Sequence, residues 1–324
     1  MKPFRWCFIG AGTLAKKVAK LLLASEDHEI VSVYTRRFEK GEEFAKKYGG
    51  KAYDNAADAM KDPNVDGVYI VTPHNSHYEY GKLAMSLKKP TLLEKPFTVN
   101  AKQSEELIRL SKENDTYLAE AMWTWFAKAP NEVKKWVEDG EFGKIESCFI
   151  SFNMNNQHYA PRVSDPKKAG GALLDIGVYP ITYAYRLFGY PKSIECVGVL
   201  KNGIDLKETI KLVFPGMEAT KVTLTSSIVD FKGLEQLKLV GEKAKLHIWG
   251  PHCNGRATLK KKQGKSIRFQ GPAGYLHEFN VAAKEIASGL KESPMVPLSC
   301  TLDVMKIMDE CRRQMGLVYD CEGV

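Results

Sequence analysis

The N-terminal third of the chain alternates short apolar runs with amphipathic ones, and that rhythm restricts the fold more than any other feature. Phe4 to Ile9, Glu29 to Tyr34, Gly67 to Val71, Thr91 to Leu93 and Thr116 to Ala119 read as buried strands. Between them Leu14, Val18, Leu21 and Leu22 recur at helical spacing, and Glu39 to Tyr48, Tyr78 to Leu87 and Ala101 to Asn114 read as helices. Strands that alternate with helices need crossover connections, which are right-handed and build a parallel sheet. After Trp125 the rhythm changes. Lys144 to Asn153 alternates as a strand, a helix follows around Leu173 to Phe188, and then Ser193 to Leu200, Glu208 to Phe214, Ala219 to Val229, Glu235 to Val240 and Ala244 to Trp249 come in succession. Turn residues such as Phe214-Pro215-Gly216 and Gly241-Glu242-Lys243 separate them and predict an antiparallel meander. Tyr275 to Ser288 and Leu302 to Met315 close the chain as helices. With 324 residues two cores are expected, and the boundary is placed near residue 122: domains 1–122 and 123–324 of an α/β protein.

The first strand runs into Gly10-Ala11-Gly12-Thr13-Leu14-Ala15, a match to G-x-G-x-x-G/A. The first glycine makes the tight turn, the second admits a pyrophosphate to the backbone, and the small sixth residue lets helix and strand pack closely. A helix starting near Thr13 would aim free N–H groups at the phosphates. The alternative is a structural turn, but the strand-to-helix context favours dinucleotide binding in a Rossmann arrangement. A carboxylate usually follows the second strand to accept from an NAD ribose. This chain has Tyr34-Thr35-Arg36-Arg37 instead. Guanidinium groups pair with a 2′-phosphate, so NADP(H) is expected, with NAD(H) as the second choice; Arg36 leads Arg37, and Thr35 adds a hydroxyl. The loop Thr72-Pro73-His74-Asn75-Ser76-His77 leaves the Gly67–Val71 strand at the level of the nicotinamide. Thr72, Pro73 and Asn75 are cofactor contacts there, and His77 is a helix-entry or cofactor-side residue rather than a metal ligand.

A net charge of +8 suits anionic ligands but carries no nucleic-acid signature, because the densest run, Lys260-Lys261-Lys262, has no interleaved aromatic residues and reads as a solvated hairpin. Seven scattered cysteines without a CxxC pair argue for reduced thiols and against a disulfide or zinc framework. No apolar run is long enough to span a membrane, and the N-terminus enters a strand without an export signal. The expectation is a cytoplasmic protein with a small-molecule substrate, no metal, and no nucleic-acid or membrane partner.

Glu94-Lys95-Pro96 follows a short strand, at the edge where open α/β sheets bind ligands. An ammonium there can polarise a substrate oxygen, with Glu94 orienting it; alone, the tripeptide is equally a surface lysine beside its carboxylate. Gly170-Gly171-Ala172-Leu173-Leu174-Asp175-Ile176-Gly177-Val178-Tyr179 supplies the partner. If helical, Asp175 and Tyr179 share one face. A phenol beside an ammonium exchanges its proton more readily than its ordinary pKa near 10 allows, and Asp175 would orient the substrate hydroxyl or Lys95. The paired glycines are expected to admit a ligand to the backbone.

These motifs together resemble the glucose–fructose oxidoreductase/inositol dehydrogenase (Gfo/Idh/MocA) family, in order and over nearly the whole chain. The resemblance implies a Rossmann domain followed by an α/β domain with a large, mostly antiparallel open sheet, and a homodimer formed through that sheet. Tyr179, where many members have histidine, and Glu120-Ala121-Met122-Trp123 resemble the dimeric dihydrodiol dehydrogenase and NADP-dependent D-xylose dehydrogenase branch. That branch implies Lys95 and Tyr179 as the catalytic pair. It often has arginine where this chain has Trp125. Trp123, Trp125 and Phe126 are left open between pocket lining, with Trp123 a candidate cofactor contact, and domain-junction core. The expected function is hydride transfer between NADP(H) and a secondary alcohol or carbonyl of a sugar, polyol or cyclic diol, trans-dihydrodiol oxidation included. The rival is a non-catalytic NAD(P)-binding regulator on the same fold.

Overall fold

β1 (Phe4–Ile9) is fully buried from Trp6 to Ile9, as the centre of a doubly wound sheet requires. Around it the computed structural model, which describes residues 2–155, 161–230 and 234–323, builds α1 (Thr13–Leu23), β2 (His28–Tyr34), α2 (Phe38–Tyr48), β3 (Lys51–Tyr53), α3 (Ala56–Lys61), β4 (Gly67–Ile70), α4 (His77–Ser86), β5 (Thr91–Glu94), α5 (Ala101–Glu113), β6 (Leu118–Ala121) and the short α6 (Trp123–Phe126). The six strands pair in parallel in the order β3-β2-β1-β4-β5-β6. The order reverses beside β1, so the ends of β1 and β4 flank the switch point where such sheets take ligands.

The second unit holds α7 (Lys128–Glu138), β7 (Ile145–Asn153), α8 (Val178–Phe188), β8 (Ser193–Lys201), β9 (Ile204–Val213), β10 (Lys221–Ser227), β11 (Glu235–Gly241), β12 (Ala244–Trp249), β13 (Arg256–Lys261) and β14 (Ile267–Gln270). Its eight-stranded sheet runs β14-β13-β12-β11-β7-β10-β9-β8, and every pairing is antiparallel except β7 with β10. The apolar side of α8 is buried at Ile181, Tyr183, Ala184 and Leu187. The sequence marked the hairpin at Lys260–Lys262 but not the extent of the two strands, β13 and β14, that form it. Each β13 residue that reaches the core, Ala257 and Leu259, is separated from the next by a polar one, so no apolar run marks the strand. Lys261 in that hairpin pairs with Glu141 at 2.7 Å.

One boundary near residue 122 does not describe the chain. α9 (Tyr275–Ala287) belongs to the first unit, which comprises 1–98, 102–126 and 275–301, whereas most of α10 (Leu298–Met315) belongs to the second, comprising 99–101, 127–274 and 302–324. Phe279 explains the return: fully buried, it packs edge-on against Trp6 at 4.9 Å and Tyr69 at 4.8 Å, with Ala282 and Ala283 in the same core. Burying one such ring is worth about 2–3 kcal/mol, enough to hold a helix whose own propensity is marginal.

Candidate active site

The glycine turn after β1 has the shape of a phosphate cradle. Gly10 has φ +114°, and a Cβ there would lie 2.7 Å from the Val71 carbonyl oxygen, so only glycine lets β1 turn against the end of β4. Gly12 has open space where a side chain would project, and no side chain caps α1. The first turn of α1 also carries no acidic residue, which leaves its N–H groups and the positive end of its dipole to an outside anion. Next to this turn, Thr72 Oγ1 is buried without a hydrogen-bond partner among the described residues. Such an orphaned hydroxyl suits a polar ligand. Arg36 and Arg37 are exposed beyond β2, and Arg36 lies within electrostatic reach of Tyr80 on α4, whose ring meets Tyr34 at 5.8 Å. The residues present therefore fit a phosphorylated dinucleotide, with Tyr34 and Tyr80 as neighbours that the sequence did not single out.

His77 ties two of the predicted segments together. It is fully buried, with Nδ1 at 2.8 Å from the Pro96 carbonyl and Nε2 at 2.9 Å from the Thr72 carbonyl. It joins the loop after β4 to the loop after β5 through the Thr72 and Pro96 carbonyls. Asn75 and Pro73 lie in the single turn leading into α4, half-buried.

Lys95 leaves the end of β5 before a cis bond to Pro96. Below it Glu94 is 3% exposed; one of its carboxylate oxygens accepts the Tyr69 hydroxyl at 2.7 Å and the other the Lys95 N–H at 3.1 Å. Glu94 thus anchors the lysine's backbone. Glu120 on β6 accepts the Thr301 hydroxyl at 2.8 Å, and its burial pushes its pKa up to about 7. Trp123 stacks on Tyr275 at 4.5 Å with an interplanar angle of 21°, and Lys17 of α1 sits over the Tyr275 ring. Trp125 and Phe126 are completely buried, so they are core.

In the second unit Tyr179 is 6% exposed at the start of α8, between Phe152 at 5.3 Å and His252 at 5.8 Å. His252 in turn pairs with Glu235. Asp175 is almost fully buried and accepts from Arg162 at 2.8 Å. Two expectations need correction here. Leu173–Gly177 forms a π-helical turn, so Asp175 and Tyr179 are not related by one regular α-helical turn. The glycine pair does not admit a ligand either. Gly171, at φ +119°, makes room for the Asp205 carboxylate, and Gly170 for the Val163 carbonyl. Asp205 accepts the Leu173 N–H, fixing the start of the turn that carries Asp175. Arg162 and Asp205 were missed because neither has a motif; they reach the turn from 13 residues upstream and from β9.

No helix among the described residues is long and apolar enough to cross a membrane, and no metal-ligating cluster occurs among them.

Residues 4–121 match the GFO/IDH/MocA family described as an oxidoreductase family with an NAD-binding Rossmann fold, and residues 131–247 match the GFO/IDH/MocA C-terminal domain. Trans-1,2-dihydrobenzene-1,2-diol dehydrogenase of Mus musculus is 30% identical over 329 residues, covering 97% of this chain and 98% of that protein. The protein of the same name from Danio rerio is 31% identical over 330 residues with the same coverage. Among solved structures, KijD10, a 3-ketoreductase from Actinomadura kijaniata in complex with NADP and TDP-benzene, superposes with a TM-score of 0.81 at 22% identity, covering 97% of this chain and 98% of its own. Aldose-aldose oxidoreductase from Caulobacter crescentus gives 0.81 at 19% identity, covering 96% and 97%. Matches in both domains, and relatives aligned from end to end, make this chain a member of the GFO/IDH/MocA oxidoreductase family.

Proposed function

We propose that the chain is an NADP(H)-dependent dehydrogenase acting on a secondary alcohol, or the matching carbonyl, of a sugar, polyol or cyclic diol. The observation that carries this reading is the uncapped glycine turn of α1 beside the orphaned Thr72 hydroxyl, with Arg36 at the end of β2. The names of the relatives support the substrate class: a trans-dihydrodiol for the curated ones and 3-ketoreductase or aldose-aldose oxidoreductase for the solved ones.

Gly10, Ala11, Gly12, Thr13 and Leu14 would hold the pyrophosphate, Thr35, Arg36 and Arg37 the 2′-phosphate, and Thr72, Pro73, Asn75 and Trp123 the nicotinamide half. The bound nicotinamide supplies the two-electron exchange. Lys95 is the fixed cation that polarises the reacting oxygen, and Tyr179 exchanges its proton with that oxygen. Asp175, oriented by Arg162, accepts from a second substrate hydroxyl. Purified protein mixed with NADP+ and a panel of pentoses, hexoses and cyclic diols is expected to form NADPH, read at 340 nm. Tight NADPH binding with no turnover on any panel member would instead favour the regulator.

The same reading includes a homodimer through the open sheet. Its uncovered face carries Val197 at 62% exposure and Trp249 at 55%, with Phe149 and Thr225 between them. Apolar exposure of this extent on a sheet face marks an interaction surface. Sedimentation velocity should give twice the chain mass, and a monomer at micromolar concentration would remove this part of the proposal. All seven cysteines are free thiols, which fits a reducing, cytoplasmic compartment.

A further inference from the structure

Three rings in the second unit contact one another in a closed triangle. The centroids of Phe152 and His252 are 4.9 Å apart, those of Phe152 and Tyr179 5.3 Å, and those of Tyr179 and His252 5.8 Å. The rings come from the end of β7, the turn between β12 and β13, and the start of α8. Each contact between rings is small in energy, so the triangle needs a stronger tie to keep one orientation.

His252 carries that tie. The Glu235 carboxylate takes its main-chain N–H at 2.6 Å and also pairs with its ring nitrogen Nδ1. An ionised carboxylate only accepts, so the Nδ1 proton points at Glu235 and the imidazole is held in one orientation. Glu235 is placed by the sheet, because it opens β11 as the register partner of Phe152 across the pairing with β7. Cross-strand partners project to the same face, which sets the carboxylate beside the triangle. The side chains of His252 and Glu235 are 21% and 11% exposed, so water competes little for the pair.

The backbone around His252 is fastened too. Its turn closes on the Gly250 carbonyl, which accepts the N–H groups of Cys253 at 3.1 Å and Asn254 at 3.0 Å. The Gly250 N–H donates to the Glu235 carbonyl at 2.9 Å. Tyr183, one helical turn beyond Tyr179 on α8, donates its buried hydroxyl to the Pro251 carbonyl at 2.7 Å. The turn is thus bound to β11 and to α8, and its place beside Tyr179 is fixed. Tyr179 follows directly on the π-helical turn, an irregular support whose residue is steadied by a rigid ring next to it.

Resting on the reading of Tyr179 as the group that exchanges a proton with substrate, we infer that His252 is a positioning residue for that phenol, and that Glu235 makes it one by locking the imidazole. The ring supplies the surface against which Tyr179 is oriented, and the carboxylate supplies the rigidity. Reaction rates depend steeply on the alignment of reacting groups, so a loosened phenol slows the chemical step while coenzyme and substrate still bind.

The test separates ring from clamp in the full-length protein. His252→Phe keeps a ring but has no Nδ1, and His252→Asn keeps an amide N–H near the Nδ1 position but has no ring. With NADP+ and the fastest panel substrate, each should slow NADPH formation in a single turnover about tenfold, while the steady-state substrate KM and the NADPH dissociation constant change less than about twofold. Glu235→Met should lose as much. The double variant Glu235→Met/His252→Phe should lose no more than about twofold beyond either single one, because Glu235 reaches Tyr179 only through residue 252. In protein carrying 13C-labelled tyrosine rings, the Tyr179 signal, assigned by its loss in Tyr179→Phe, should broaden or split in all three single variants. A parental rate in either residue-252 variant, losses that multiply in the double variant, or an unchanged Tyr179 signal would overturn the inference. Tyr179→Phe separates the two claims: normal turnover in that variant sinks the catalytic reading, whereas the NMR signal tests the link from His252 to Tyr179 without reference to turnover.

Discussion

Lys95→Met is expected to lower kcat by about a thousandfold, and Tyr179→Phe by ~10²–10⁴, while the dissociation constant for NADPH changes less than about threefold. Methionine keeps the length and apolar stem of lysine but removes the charge that would stabilise a developing alkoxide. Phenylalanine keeps the ring between Phe152 and His252 but removes the transferable proton. Neither change should unfold its unit. Glu94 holds the residue-95 backbone through the N–H, which methionine retains, and the Tyr179 ring packs in a buried position that phenylalanine fills. Stopped-flow absorbance and NADPH fluorescence separate chemistry from binding. A rate within threefold of the parent in either variant would remove that residue from the mechanism.

Arg36→Asp should reverse coenzyme preference. An exposed guanidinium pairing with a 2′-phosphate in a charge-assisted fork is worth ~1.5–3 kcal/mol, and its replacement by a repelling carboxylate should weaken NADP(H) binding by about a hundredfold. The same carboxylate can accept from the ribose hydroxyls of NAD(H), whose affinity should stay level or rise. Tyr80 sharpens the prediction. It lies near Arg36 and against Tyr34, so Tyr80→Ala should weaken both coenzymes together rather than change their ratio. An unaltered preference in Arg36→Asp would refute the phosphate assignment.

Much of the first unit was legible because its signals are local. β1 is apolar but for Arg5, α1 follows at helical spacing, and the glycine turn between them needs a conformation only glycine holds easily. The strands β8 to β12 were legible for the same reason, marked off by turn residues, but the continuous meander expected from them does not form: β7 lies between β10 and β11 and pairs in parallel with β10. What escaped were features made by distant residues meeting. α9 reads as a generic amphipathic helix, and only the packing of Phe279 on Trp6 and Tyr69 returns it to the first sheet. Asp205 lies among alternating strand residues, with nothing to mark it as the carboxylate that fills the space at Gly171. Glu278 looks like a solvated first-turn acid, the commonest position for one, yet its side chain is fully buried. The candidate site was read best where a motif is itself the geometry, as in the glycine turn, and least where charge meets charge between residues distant in sequence, as in Asp175 with Arg162.

The central claim, that this chain moves a hydride between a carbinol carbon and NADP(H), is tested most directly by following the hydrogen itself. The protein is incubated with NADP+ and D-xylose, or the fastest panel substrate, deuterated at the reacting carbon, and the coenzyme is analysed by mass spectrometry and NMR. The account predicts NADPH carrying one deuterium at nicotinamide C4, formed by the parent and formed about a thousandfold more slowly by Lys95→Met. Tightly bound coenzyme that stays oxidised with every substrate, or NADPH that carries no deuterium, would contradict it.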